Sequence, residues 1–273
     1  MPDYSEFGKA EFDGWTDPET ANAYATGFAA AAAQCVPDLV RAVKARPGTK
    51  ALDLCCGHGI VANGLLEAGS EVQGLDFSPA MLEIARSNVP DVEFIEGDAT
   101  ALPFEDEAFD SVTMGFGMLH IPDADRALSE ARRVLRTNGH FAYSVWHGPE
   151  QSAAFRIVFG SIGTHGDPSV VLPPGPPTPQ YAAPAVAFPS LEKAGFSSPR
   201  VDTAESYWQV DDPGRPFDFF IEGTVRGALL LRAQPKDNKN AIRSAVASAV
   251  KSEFGEDGPW RVPIPAAIVS ASA

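Results

Sequence analysis

Three carboxylates and two histidines carry the chemistry this chain could do. Asp53, Asp76 and Asp98 sit at or just past the ends of three successive apolar runs, and His120 and His147 follow two later ones. Carboxylates gathered at one edge would repel phosphate. They suit a ligand that is positively charged or rich in hydroxyl and amino groups. An imidazole titrates near neutral pH, so either histidine could take a proton from a reacting group. The bland alternatives are a His120 that orders its loop and a His147 that bonds backbone.

Strands, tight turns and helices must bring these groups together. Ala51, Leu52 and Leu54 are apolar, as in a strand covered on both faces. Gly57 and Gly59 then allow a tight turn into a helix over residues 60–68, whose first amides face a ligand. Residues 57–62, GHGIVA, match the G-x-G-x-x-A dinucleotide pattern. A pyrophosphate in that turn would be repelled by Asp53 at the strand tip. The amino group and sulfonium of S-adenosylmethionine fit it better, unless Asp53 only bonds turn amides. Asp76 lies about 20 residues past the turn, where an acidic side chain accepts from ribose hydroxyls. Ser78 is placed to cap a helix that begins at Pro79. A third strand over residues 92–96 leads to Asp98 and Ala99, which suit an adenine amine and ring nitrogen.

Residues 50–146 resemble a class I S-adenosylmethionine-dependent methyltransferase, most of all the methyltransferase type 11 branch with the ubiquinone and menaquinone C-methyltransferases. The resemblance rests on LDLCCGHG, GLDFSPAMLEIAR, EGDATALPFEDEAFDSV, GMLHIPD and LSEARRVLRTNGHFAYSVW. It implies an α/β, Rossmann-like, doubly wound sheet of seven strands, mostly parallel with the last antiparallel. It implies S-adenosylmethionine as cofactor, held by Asp53, Cys55, Gly57, Gly59, Asp76, Phe77, Met81, Asp98, Ala99 and Phe116. Tyr24 falls where the family places a tyrosine near the methionine carboxylate, although a packing role on its helix fits as well. Cys55 replaces the usual first glycine of the turn, which a small side chain allows if its φ stays negative. The branch methylates quinones, sterols, arsenicals, phenols, thiols and amines, so the expected partner is a small-molecule acceptor: a phenol, quinone precursor, thiol or amine. Two other readings are a non-catalytic S-adenosylmethionine-binding protein and a nicotinamide-dependent oxidoreductase, the latter disfavoured by the three carboxylates.

The 273 residues, 44% hydrophobic, suffice for one α/β domain. We divide it into N-terminal cap helices (1–48), a cofactor-binding core (49–147), a helix and proline-rich lid (148–198), and C-terminal strands and helices (199–273). A net charge of −15 argues against nucleic acid or anionic membrane as partner. No run is apolar enough to span a bilayer and no secretory signal is evident, which makes the cytoplasm the expected location. Cys35, Cys55 and Cys56 suggest neither disulfides nor zinc.

Residues 1–15 read as poorly ordered, followed by a helix starting at 16–19 and another from Asp38, beyond Pro37. Phe116 and Leu119, after the fourth strand, would contact cofactor or acceptor. Asp123 would cap a helix that Asn138-Gly139 ends, and a fifth strand follows over residues 140–146. The proline-rich stretch 166–189 reads as structureless, a lid or else a linker with no role in the site, with a short helix only at 190–194. Residues 199–210 and 260–270 read as the sixth and seventh strands. His58 should face solvent, His140 should be structural, and His165 heads the proline-rich stretch.

Overall fold

Nine short runs become strands in the computed structural model, which describes residues 4–176 and 178–273. They are β1 Lys50–Leu54, β2 Glu71–Asp76, β3 Glu93–Glu96, β4 Phe109–Gly115, β5 Leu135–Trp146, β6 Ser197–Ala204, β7 Tyr207–Val210, β8 Trp260–Pro263 and β9 Ala266–Ser272. Seven form one sheet in the order β3-β2-β1-β4-β5-β9-β6, and β7 pairs only with β8. The pairs from β3 through β5 are parallel, while β9 runs antiparallel to both β5 and β6. Neighbouring side chains on a strand point to opposite faces. Accordingly, Ala51 joins one apolar cluster with Leu39, Val61 and Leu65, while Leu52 and Leu54 join the other with Met114 and Phe141. Chain order reverses between β1 and β4, and in open α/β sheets ligands bind at the carboxyl ends of such a pair. No helix among the described residues is long and apolar enough to cross a membrane.

Several elements differ from the sequence expectation. Residues 5–15 are not loose: Ser5–Trp15 is a helix that buries Phe7, Glu11 and Trp15. The four-residue spacing of these three puts them on one helical face. Asp17 caps the next helix, Pro18–Ala23, by accepting from the Glu19 and Thr20 amides. The alanine-rich stretch then stays helical through a π segment at Tyr24–Phe28 and a 3-10 turn at Ala33–Cys35, and Pro37 lies in the first turn of helix Val36–Ala42.

Asn138-Gly139 does not end a helix. Helix Ala124–Val134 stops earlier and β5 begins at the next residue. Asn138 takes a left-handed φ of 66°, and a Cβ on Gly139 would lie 2.9 Å from the Arg136 carbonyl oxygen. The pair serves an irregularity in the β4–β5 register.

The expected sixth and seventh strands are each split in two. Alanines 204 and 266 pair in the main sheet, and Tyr207 and Pro263 pair in the small one. Pro265 has no N–H to offer the intervening residues, so the ladder breaks there and the chain bends. Ser206 and Ile264 bridge the gap, through the Ile264 amide to the Ser206 carbonyl and the Ser206 hydroxyl to the Ile264 carbonyl.

The stretch 166–189 is only partly irregular. It contains a 3-10 turn at Thr178–Ala182 and the first residues of helix Pro184–Lys193, which buries Ala187 and Leu191. Residues 1–3 and 177, included in the expectations above, lie outside the described residues.

Candidate functional site

A cavity of about 500 Å³ opens over the carboxyl ends of β1, β2 and β4. Its floor is the turn after β1. Gly57 has a φ of 51°, and a Cβ there would meet nothing within 4 Å, so a ligand can approach the backbone closely. Gly59 has a φ of 89° and does not line the cavity. A Cβ on it would press on Phe94, Val89 and Ala85, so it serves the packing beneath the turn.

Cys55 lines the cavity but does not keep a negative φ: it stands at 56°. The structure tolerates this because Gly117 lies opposite, where a Cβ would sit 2.5 Å from that of Cys55. A left-handed non-glycine residue costs about 1–2 kcal/mol, and the extra backbone entropy of glycine costs about 0.5–1 kcal/mol. Cys55→Gly should therefore leave stability unchanged or raise it by up to about 1.5 kcal/mol. Urea denaturation of both proteins checks this, and a clear loss would show that the thiol contributes packing that outweighs the strain.

The three carboxylates do not act alike. Asp53 is fully buried and lines neither cavity described here. Its Oδ1 accepts from the Thr113 hydroxyl at 3.1 Å, its Oδ2 has no partner among the described residues, and burial pushes its carboxyl up to about 7. It points across to β4 instead of out of the strand tip. Asp76 lines the cavity and joins two turns: Oδ2 accepts the Gly57 amide at 2.8 Å and Oδ1 the Ser78 amide at 2.9 Å. Burial raises its carboxyl, partly offset by those bonds. Asp98 is an exposed part of the same wall, with Oδ1 accepting from the Thr100 amide and hydroxyl.

Ala99, Phe77 and Met81 complete that wall. The Ser78 hydroxyl caps helix Pro79–Asn88 by accepting from the Met81 amide, which sets Phe77 and Met81 beside the turn. Tyr24 lines the opposite side, edge-on to Trp15 and to His58 with centroids 5.3 and 5.6 Å away, and burial raises its phenol. His58 is not solvent-facing. It is buried, which pulls its imidazole down to about 4.

A second cavity of about 340 Å³ adjoins the first and shares Glu11, Trp15, Tyr24, Phe116 and His120 with it. The rest of its lining is mostly aromatic or aliphatic, including Phe28, Leu119, Trp146, Phe155 and Leu172. Phe116 stacks on Trp146 at 4.0 Å between centroids. The φ of Phe116, 60°, is held by its amide, which donates to the carbonyl and hydroxyl oxygens of Ser144.

His120 stands at the junction. Its Nδ1 lies 2.8 Å from Glu11 Oε2, to which the Trp15 indole also donates at 2.9 Å. His147 is elsewhere: it lines neither cavity, its Nε2 lies 3.1 Å from the Thr203 hydroxyl, and burial lowers its imidazole. Glu11 and Trp15 did not emerge from the sequence reading. Their one signal was the four-residue spacing from Phe7.

This strand order, with a glycine turn at the reversal point and a cavity above it, defines the Rossmann-like fold of class I methyltransferases. Residues 52–143 match the family described as methyltransferase domain. That segment is similar to the class I, S-adenosylmethionine-dependent methyltransferase domains of the branch that contains the menaquinone enzymes. The demethylmenaquinone methyltransferase of Renibacterium salmoninarum is 40% identical over 121 residues, which are 44% of this chain and 51% of that protein. The chain thus spans about half the length of the curated relatives it matches. Among solved structures, a chain in the complex of the Haloferax volcanii Trm112 methyltransferase activator is similar over 96% of both chains, with a TM-score of 0.60 and 20% identity. The 4+2 cyclase SpnF is similar over 88% of this chain and 80% of its own, with a TM-score of 0.51 and 18% identity. These two likenesses concern the fold alone.

Proposed function

We propose that the protein transfers a methyl group from S-adenosylmethionine to a small, flat, largely apolar acceptor with an ionisable hydroxyl, a phenol or quinol in chemical class. The observation that carries this reading is the junction: a cavity floored by the glycine turn meets an aromatic-lined cavity at His120. The fit of the cofactor is supported by the open backbone at Gly57 and by the lone pairs left on Asp76. In this reading Asp76 holds the ribose hydroxyls, Asp98 and Ala99 the adenine, and Tyr24 the methionine end. Bound there, S-adenosylmethionine supplies a sulfonium methyl already activated for transfer. The chain's own part is to orient the acceptor against Phe116 and Trp146, exclude water and take a proton. His120 is the base of this proposal, and His147, outside both cavities, is not. A quinol acceptor also accords with the names of the curated relatives.

S-adenosylhomocysteine is expected to bind well and NAD poorly or not at all. Calorimetry with both ligands checks this, and tighter binding of NAD would overturn the choice of cofactor. A tritiated-methyl screen over phenols, quinone precursors, thiols and amines tests the acceptor class. Label found only in thiols or amines would replace the hydroxyl-bearing acceptor, and no label in any class would overturn the transferase reading.

A further inference from the structure

Glu11 is a carboxylate that no function described so far requires. Its residue is only 2% exposed. Oε1 has no partner among the described residues, while Oε2 serves both Trp15 and His120. An ionised carboxylate with an unmet buried oxygen is costly to keep, so its neighbours must give it a compensating role. Arg226 is the cation whose field reaches it, and that guanidinium bonds the Pro173 carbonyl instead of forming an ion pair with Glu11.

The hydrogen-bond distances favour one nitrogen of His120 as the carrier of the proton. The Trp15 indole is donor-only and lies 2.9 Å from Glu11 Oε2 but 3.3 Å from His120 Nδ1. An ionised carboxylate only accepts. The short 2.8 Å contact from Nδ1 to Oε2 therefore needs a proton on Nδ1, and the indole N–H then goes to the carboxylate. With Nδ1 protonated, the lone pair of a neutral ring sits on Nε2.

Resting on the methyl-transfer reading above, we propose that Glu11 is a positioning residue that holds His120 with Nδ1–H toward itself and Nε2 free to accept the acceptor's proton. In that step an acceptor O–H or C–H bond breaks and an Nε2–H bond forms. The imidazolium charge is matched by Glu11, and no electrons change hands between the groups. Asp76, whose field also reaches His120, adds to this from β2, and Asp123 lies on the same cavity wall. Because Glu11 belongs to helix Ser5–Trp15, the pair exists only when that helix is docked.

The experiment uses the full chain and two readouts. Nitrogen-15 NMR of the unliganded wild type should show the Nδ1–H tautomer of His120, and a dominant Nε2–H tautomer would overturn the proposal without any variant. Glu11→Gln keeps the shape and removes the charge that favours the protonated ring. The acid limb of its pH–rate profile should move to lower pH. Its kcat should fall at least about 10-fold, and by no more than the ~10²–10⁴ that complete loss of a general base costs, with cofactor affinity held. An unmoved acid limb or equal turnover in the two proteins would overturn the role of Glu11. Failure of the methyl-transfer reading is distinct: the wild type itself would methylate nothing while the tautomer remained as expected.

Discussion

His120→Ala is expected to lower kcat by about 10²–10⁴, the usual cost of losing a general base, while leaving the affinity for S-adenosylhomocysteine near that of the wild type. The ring stands where the two cavities join, so its loss strikes the acceptor side. The substitution also leaves Glu11 with only the Trp15 indole, so some thermal stability should be lost as well. The decisive measurement is single-turnover methyl transfer at several pH values. A structural role alone would lower the melting temperature and leave the rate per folded molecule unchanged. Identical rates and pH profiles would remove His120 as the base and point to an acceptor that is already anionic.

Asp76→Ala should weaken cofactor binding at least ~10-fold. Charge-assisted bonds to two ribose hydroxyls contribute at most about 1.5–3 kcal/mol each. The structure adds a second consequence, because the same carboxylate accepts the Gly57 and Ser78 amides. Leaving a buried amide unpaired costs about 1–3 kcal/mol, so the unliganded variant should also melt earlier. Calorimetry with S-adenosylhomocysteine, beside a thermal melt of the unliganded protein, separates the two effects. An unchanged dissociation constant with a lowered melting temperature would leave Asp76 as a brace for the turns and remove it from ligand contact.

What could be read from the chain in advance was mostly local. Apolar runs ending in Asp76 or near Asp98, the cap at Ser78 and the two glycines after β1 each declare their geometry within a few residues. The strand order and the cofactor cavity follow from those pieces. The rest depends on partners far away in the chain. Glu11 and His120 are 109 residues apart, and nothing within residues 5–15 says which element its apolar face will cover. The left-handed backbone of Cys55 depends on the missing side chain of Gly117. His58 is buried, with Tyr24 packed edge-on against it from a distant part of the chain. A place at a strand tip says little about whether the Asp53 side chain turns outward or, as here, across to Thr113. The aromatic cavity gathers Phe28, Trp146, Phe155 and Phe220 from four separate elements, none with a spacing that announces it.

The seat of β9 between β5 and β6 bears on how the molecule is made. A ribosome delivers β1 through β5 first, and these five strands can pair as they emerge. β6 follows but has no place to dock, since its only partner in the sheet is β9. Until Ala266–Ser272 arrives, the inner edge of β5 stays unpaired although Phe141, Tyr143 and Val145 are core residues. Such an edge invites pairing with other chains. The nascent protein is thus most prone to aggregation in the interval between synthesis of β5 and of β9, and substitutions in residues 266–272 should reduce the yield of soluble protein out of proportion to their effect on the finished fold.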